Sequence, residues 1–284
     1  MRLRWLLHPR NLVVYALVAG TALMALRFGW NLYAVGGAIV ALLVVHYFVL
    51  PAVAVGRVER FDGRMRKLLV SGRHHEALGE YRGRWFLRAF APPGMMSHRL
   101  GQIQLARRAW EPAFQAFHEA LRAVRGEDEY AAMLGYVQAG FQVGEDAAIL
   151  PELNRLVVDE RTMAEVLFMH VHVLVADPER RAHARRALER LEQRGGPADE
   201  PLVELARAEV AAASGRHDRA RRHLAEIDTD ALPDTLRSLA PLLEAKLAYV
   251  RGRREEAQRS FAGIRGDAVC ARAGLELEEF LEDQ

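Results

Sequence analysis

Histidine beside histidine, and histidine beside acid, are the pairings in this chain that could do chemistry. They occur in "GRHHEA" at Gly72–Ala77 and in "GRHDRA" at Gly215–Ala220. An imidazole next to a carboxylate is the raw material of a general base or a metal site. Spacing argues against both. Neighbouring residues on a helix point about 100° apart, so His74 and His75 do not converge on one ion. His170 and His172, two residues apart, diverge as well. The two-histidine zinc helix H-E-x-x-H is absent, because Ala77, Leu78 and Gly79 follow His75-Glu76. No P-loop, no G-x-S-x-G and no G-x-G-x-x-G occurs, and Cys270 is the lone cysteine. The sequence therefore assigns no catalytic, cofactor-binding or metal-binding residue. It leads us to expect a protein that is not an enzyme and takes no cofactor or small-molecule substrate.

What the two phrases share is the turn that carries them. A third copy, "RGRREEAQ", occupies Arg251–Gln258. In each copy an alanine follows the glycine by five residues (Ala77, Ala220, Ala257). A larger apolar residue comes four later (Tyr81, Leu224, Phe261). This is the grammar of a helical hairpin: glycine permits the corner, alanine lets two helices approach, and the large side chain fills the groove beside it. Fainter copies lie between. Leu100-Gly101 recurs as Leu134-Gly135, and Ala113 as Ala147, each 34 residues on. A degenerate copy spans Val173–Leu191, with Asp177-Pro178 at its turn.

A period near 34, a Leu-Gly pair in the first helix, and an alanine with an aromatic residue in the second resemble the tetratricopeptide repeat family. The resemblance covers about Val55 to the C-terminus. It implies an all-α, right-handed solenoid of about six helical hairpins, closed by a C-terminal capping helix in "DAVCARAGLELEEFLED". No copy holds the full tryptophan-leucine-glycine-tyrosine set. Pro151 stands at the large-residue position of the third copy, and the turn glycine is missing from the second to the fourth. The family's ligand-facing position, carried over copy by copy, falls on Arg66, Gln102, Tyr136, His172, Glu209 and Lys246, with Tyr249 a turn beyond. That row suits a protein partner, as an extended peptide or a helix. It lacks the lysine-asparagine pattern with which some members clamp a terminal carboxylate.

The first 55 residues differ in kind. From Asn11 to Val55 the only formal charge is Arg27, which predicts a transmembrane helical hairpin with spans at about 11–28 and 31–55. Residues 56–284 then form the cytoplasmic solenoid. Arg2, Arg4 and Arg10 precede the hairpin and Arg57, Arg60, Arg64, Arg66 and Lys67 follow it, so both termini are expected in the cytoplasm. Ala16 with Gly20 and Gly37 with Ala41 form small-x-x-x-small pairs that would pack the two spans together. His46 and Tyr15 are polar groups inside the spans, explained by a hydrogen bond across the hairpin or, alternatively, by a proton-handling or transport role. Pro51 is expected to kink or end the second span. Net charge is only +2, which gives no reason to expect nucleic acid.

Two spans followed by such repeats resemble the layout of the inner-membrane HemY proteins of haem-producing bacteria, although the turn "RFGWN" is shorter than their external segment. The expectation is a membrane-anchored scaffold, in a bacterial inner membrane, that holds a protein partner at the cytoplasmic face. An accessory subunit of a membrane enzyme is the alternative.

Overall fold

The computed structural model describes residues 9–29, 31–265 and 271–282. Arg2, Arg4, Trp30 and Cys270 lie outside them. The described residues form helices joined by turns and loops, with no strand among them, and fall into two compact units, 1–107 and 108–284.

The first unit begins with α1 (Pro9–Phe28). Gly29 turns the chain at φ +64, and the Asn31 side chain accepts the Tyr33 amide at 2.9 Å to start the next helix. That helix, α2, runs through Leu32–Val44, a π-helical turn at Val45–Val49, and Leu50–Val70. Pro51 does not end it, contrary to expectation. The proline nitrogen cannot donate to the preceding turn, and the π-turn just before it takes up the mismatch, with the Leu50 amide reaching back to the Val45 carbonyl. The small-residue pairs also differ from expectation. Ala16, Gly20, Gly37 and Ala41 are all exposed, and a Cβ added at Gly20 or Gly37 would meet nothing within 4 Å. Among the α1 residues whose side chains are described, Asn11, Val14 and Ala25 are buried instead. His46 is buried in the π-turn, edge-on to Tyr47 and to Phe90. Three shorter helices complete the unit: α3 (His74–Gly83), α4 (Trp85–Phe90) and α5 (Met95–Ala106).

The second unit is a stack of antiparallel hairpins. After α6 (Trp110–Leu121) come α7 (Glu127–Gln142) with α8 (Asp146–Leu156), and α9 (Ala164–Ala176) with α10 (Arg181–Arg194). Then follow α11 (Glu200–Ala213) with α12 (His217–Ala225), and α13 (Leu239–Val250) with α14 (Arg254–Arg265). The last helix is α15 (Ala271–Glu282).

The repeated phrase is a repeated helix C-cap. Gly72, Gly215 and Gly252 all take left-handed φ, +71, +71 and +78. The next amide in each donates to a carbonyl five residues back: Arg73 to Leu68, Arg216 to Ala211, Arg253 to Ala248, at 2.9 to 3.0 Å. Two further corners are written in other residues. Gly144 (φ +80) makes the same bond through Glu145 to Gly140. Arg108 holds φ +56, the one non-glycine residue at positive φ among the described residues. The turn glycine of the third copy is thus present, and in the second copy an arginine stands in its place.

With Gly144 at the corner, the third copy lies two residues further along the chain. The position five after it is Ile149, not the alanine found in other copies, and Leu153 takes the large-residue place; both are fully buried. Ala147 and Pro151 are exposed. The bulk of Ile149 is accommodated from the other side of the interface, because a Cβ on Gly140 would sit 2.3 Å from Ile149 Cγ2. The Leu-Gly glycine has a similar cause: a Cβ on Gly135 would sit 2.3 Å from the Phe117 ring.

Candidate functional site

The expected ligand-facing row divides between the units. Arg66 and Gln102 line one cavity of the first unit, about 440 Å³, beside the bidentate Arg99–Asp62 pair at 2.8 Å. In the second unit, Tyr136 departs from the row. It is buried, stacked on Phe114 at 4.6 Å between ring centroids, and belongs to the core between α6 and α7. His172 on α9, Glu209 on α11 and Lys246 on α13 do meet, at equal intervals of 37 residues along the chain.

What they meet around is α15. Arg272, Glu276 and Phe280 are spaced four apart and share one face of that helix. Arg272 reaches Asp146, at the start of α8, with two bonds of 2.8 Å. Its guanidinium lies 5.2 Å from the Phe141 ring centroid. Glu276 accepts from His172 Nε2 at 2.7 Å, from Lys246 Nζ at 3.0 Å and from Arg272 Nε at 2.8 Å. Phe280 packs edge-on against Tyr249 at 5.4 Å and at a tilt against Phe261 at 5.8 Å. The last helix therefore closes the stack against α13 and α14, as a cap would, and also crosses the first helices back to α7.

Gln142, at the end of α7, holds the far end of this arrangement. Its Nε2 donates to the Thr235 carbonyl at 2.9 Å, while its Oε1 accepts the Arg272 amide at 3.3 Å. One buried side chain thus fixes both the segment before α13 and the start of α15. Leu232 and Leu236 of that segment are buried with it.

The electrostatics follow from the packing. His172 Nδ1 bonds Glu209 Oε1 at 2.8 Å, and Nε2 bonds Glu276. Both acceptors are carboxylates, so both ring nitrogens carry protons. Burial alone would push the ring down; the Glu209 and Glu276 carboxylates outweigh it and hold the pKa at about 10. Burial likewise opposes ionisation of Glu276, yet His172, Lys246 and Arg272 keep its carboxyl well below the usual range. Arg272 is raised against its own burial by Asp146 and Glu276. A histidine that stays protonated with both nitrogens occupied cannot act as a base.

Beside the network lies a cavity of about 300 Å³, walled by Leu239, Leu242, Leu243 and Ala212 and floored by Glu209 and Lys246. Glu209 Oε2 is buried and has no hydrogen-bond partner among the described residues.

Two further histidines have polar partners on neighbouring helices. His170 faces Asn154 at 3.0 Å, and burial, with Arg190 nearby, lowers it to about 4. Glu204, His223 and Glu226 could bring three ligand atoms within 4.8 Å of one another. Glu204 is already bonded to Arg207 and to His223 Nδ1, so a cation would have to displace an arginine.

No protein-family model matches the chain, and no curated protein does. Among solved structures, a tetratricopeptide repeat protein from Parabacteroides merdae is similar at a TM-score of 0.47 and 15% identity, covering 77% of this chain and 96% of that one.

Proposed function

We propose that this chain is a membrane-anchored scaffold that holds a protein partner by receiving one of the partner's helices on the face lined by α9, α11 and α13. The observation that carries this reading is the seating of α15. An amphipathic helix crosses that face, and an arginine, a glutamate and a phenylalanine meet complementary groups on three hairpins. A surface that accepts such a helix from its own chain offers the same contacts to another. Its own helix is then a tethered competitor, at an effective concentration on the order of millimolar for a short tether. A partner binds only as tightly as the open fraction of the site allows.

Membrane attachment is supported by α2. Its apolar part is barely covered within the unit, and Tyr33, Val40 and Phe48 are exposed. Contiguous apolar surface of this extent calls for lipid or another protein. With α1 and the apolar part of α2 read as two spans, Arg2, Arg4 and Arg10 before the first and Arg57, Arg60, Arg64, Arg66 and Lys67 after the second favour the cytoplasmic side for both termini.

A photo-crosslinking residue at position 249, in the full chain in its native membrane, tests the partner reading. The expected products are a self-crosslink to α15 in the wild type and, when R272A/E276A loosens that helix, one dominant protein adduct. Diffuse adducts in both forms would contradict it.

A further inference from the structure

We infer that the junction of α2 with α3 and α4 is a binding site for a phosphate group, supplied by an anionic lipid headgroup at the membrane surface. The lipid source rests on the reading that α1 and α2 enter a bilayer. The anion chemistry does not. Arg57, Arg60 and Arg64 fall on one face of α2 at intervals of three and four, and Arg84 and Trp85 arrive from the α3–α4 corner to close a cavity of about 410 Å³. One carboxylate faces these four guanidiniums: Glu80 accepts from Arg84 and lies 3.5 Å from Arg64. The Arg57 guanidinium sits 4.9 Å above the Phe86 ring, an arrangement that holds the group in place without neutralising it. Arg60 has no hydrogen bond or ion pair among the described residues. The cavity is therefore preorganised and short of negative charge.

Its depth along α2 matches a headgroup. Arg57 is two residues past Val55, where the apolar run ends, or about 3 Å along the helix axis, and Arg64 is about two turns further. Trp85, 66% exposed, presents an indole at the same junction, the side chain that favours the membrane interface. Guanidiniums pair with phosphate oxygens in bidentate fashion. A phosphodiester at the cavity mouth would leave its acyl chains alongside the exposed apolar surface of α2.

Native mass spectrometry of the full chain in neutral detergent tests this with three probes: phosphatidylglycerol, phosphatidylcholine of matched acyl chains, and glycerol phosphate. The expected result is at least fivefold greater retention of phosphatidylglycerol than of phosphatidylcholine. R57Q/R60Q should abolish that preference, while R181Q/R185Q, two exposed arginines on α10, should keep it. Equal retention of the two lipids, or a preference that survives R57Q/R60Q, overturns the proposal. Binding of glycerol phosphate through the same arginines supports the anion site and points to the free phosphate as its source. Alkaline carbonate extraction separates the two claims: release of the chain refutes the bilayer reading, whereas loss of all three probes refutes the site.

Discussion

Glu276 places its Oε1 2.7 Å from Nε2 of His172, 104 residues earlier in the chain. That bond joins the last helix to the first helix of an interior hairpin, and together with the Nδ1 bond to Glu209 it requires the doubly protonated imidazole. Seating of α15 is therefore tied to two titrations.

The pH dependence follows from their signs. His172 is raised in the folded state to about 10, against about 6.5 in an unfolded chain. Its contribution is complete below pH 6.5 and is lost as pH rises toward 10. Glu276 is lowered, so its contribution is present above about pH 4.3 and is lost in acid as the carboxyl protonates. Thermal melting of the wild type should therefore be most favourable relative to H172Q between about pH 4.5 and 6.5, with the difference narrowing on the alkaline side. A difference that is flat to pH 10 would rule out a protonated His172.

Removing the cation strands two acids. H172A leaves Glu209 and Glu276 facing each other without the imidazolium between them, and should cost about 3 kcal/mol in denaturant unfolding, the range for breaking a buried pair. K246A should cost about 1 kcal/mol or less, because Lys246 is partly solvated. Equal effects would place the energetic centre of the network elsewhere.

Arg108 holds a conformation that glycine adopts freely. Its φ of +56 costs a side-chain-bearing residue about 1–2 kcal/mol, offset in part by the greater entropy glycine loses on folding. R108G should thus stabilise the chain by about 1 kcal/mol, less whatever the half-exposed pair with Asp234 supplies. A clear loss of stability would mean the strain is not there.

Gly140 and Ile149 divide one volume between two helices. G140A drives a methyl toward Ile149 and Phe114, an overpacking expected to cost about 3 kcal/mol. I149A added to it should recover part of that loss and give an interface with an alanine on each side. Additive losses in the double variant would contradict the exchange.

The legible parts of this fold were those written in local residues. Glycine, alanine and a large apolar side chain at fixed intervals encode a hairpin corner, and Gly72, Gly215 and Gly252 make it. Two corners were hidden because another residue can meet the same need: Arg108 adopts the left-handed backbone, and Gly140 supplies the space that alanine gives elsewhere. Pro51 reads as a helix end, yet a single π-turn absorbs it.

The candidate site was half legible. The ligand-facing position that the repeat resemblance implies, carried over copy by copy, put His172, Glu209 and Lys246 in one row. Tyr136 was misplaced toward the surface, because the register that marks first-helix positions does not say which way a ring turns. Gln142, Asp146 and Arg272 left no signal, since the bonds of Arg272 to the other two span more than 120 residues and no periodicity records them. The sequence reads α15 as a capping helix and gives no sign that Glu276 bonds His172, Lys246 and Arg272.

The most direct measurement is the binding of a fluorescent peptide of residues 271–282 to the full chain, followed by anisotropy. The wild type, with its own helix seated, should bind weakly. R272A/E276A, checked for native helicity, should bind at least tenfold more tightly, and adding H172A should remove the gain. A natively helical R272A/E276A chain that binds the peptide no better than the wild type would contradict the claim that this face is a helix-receiving site.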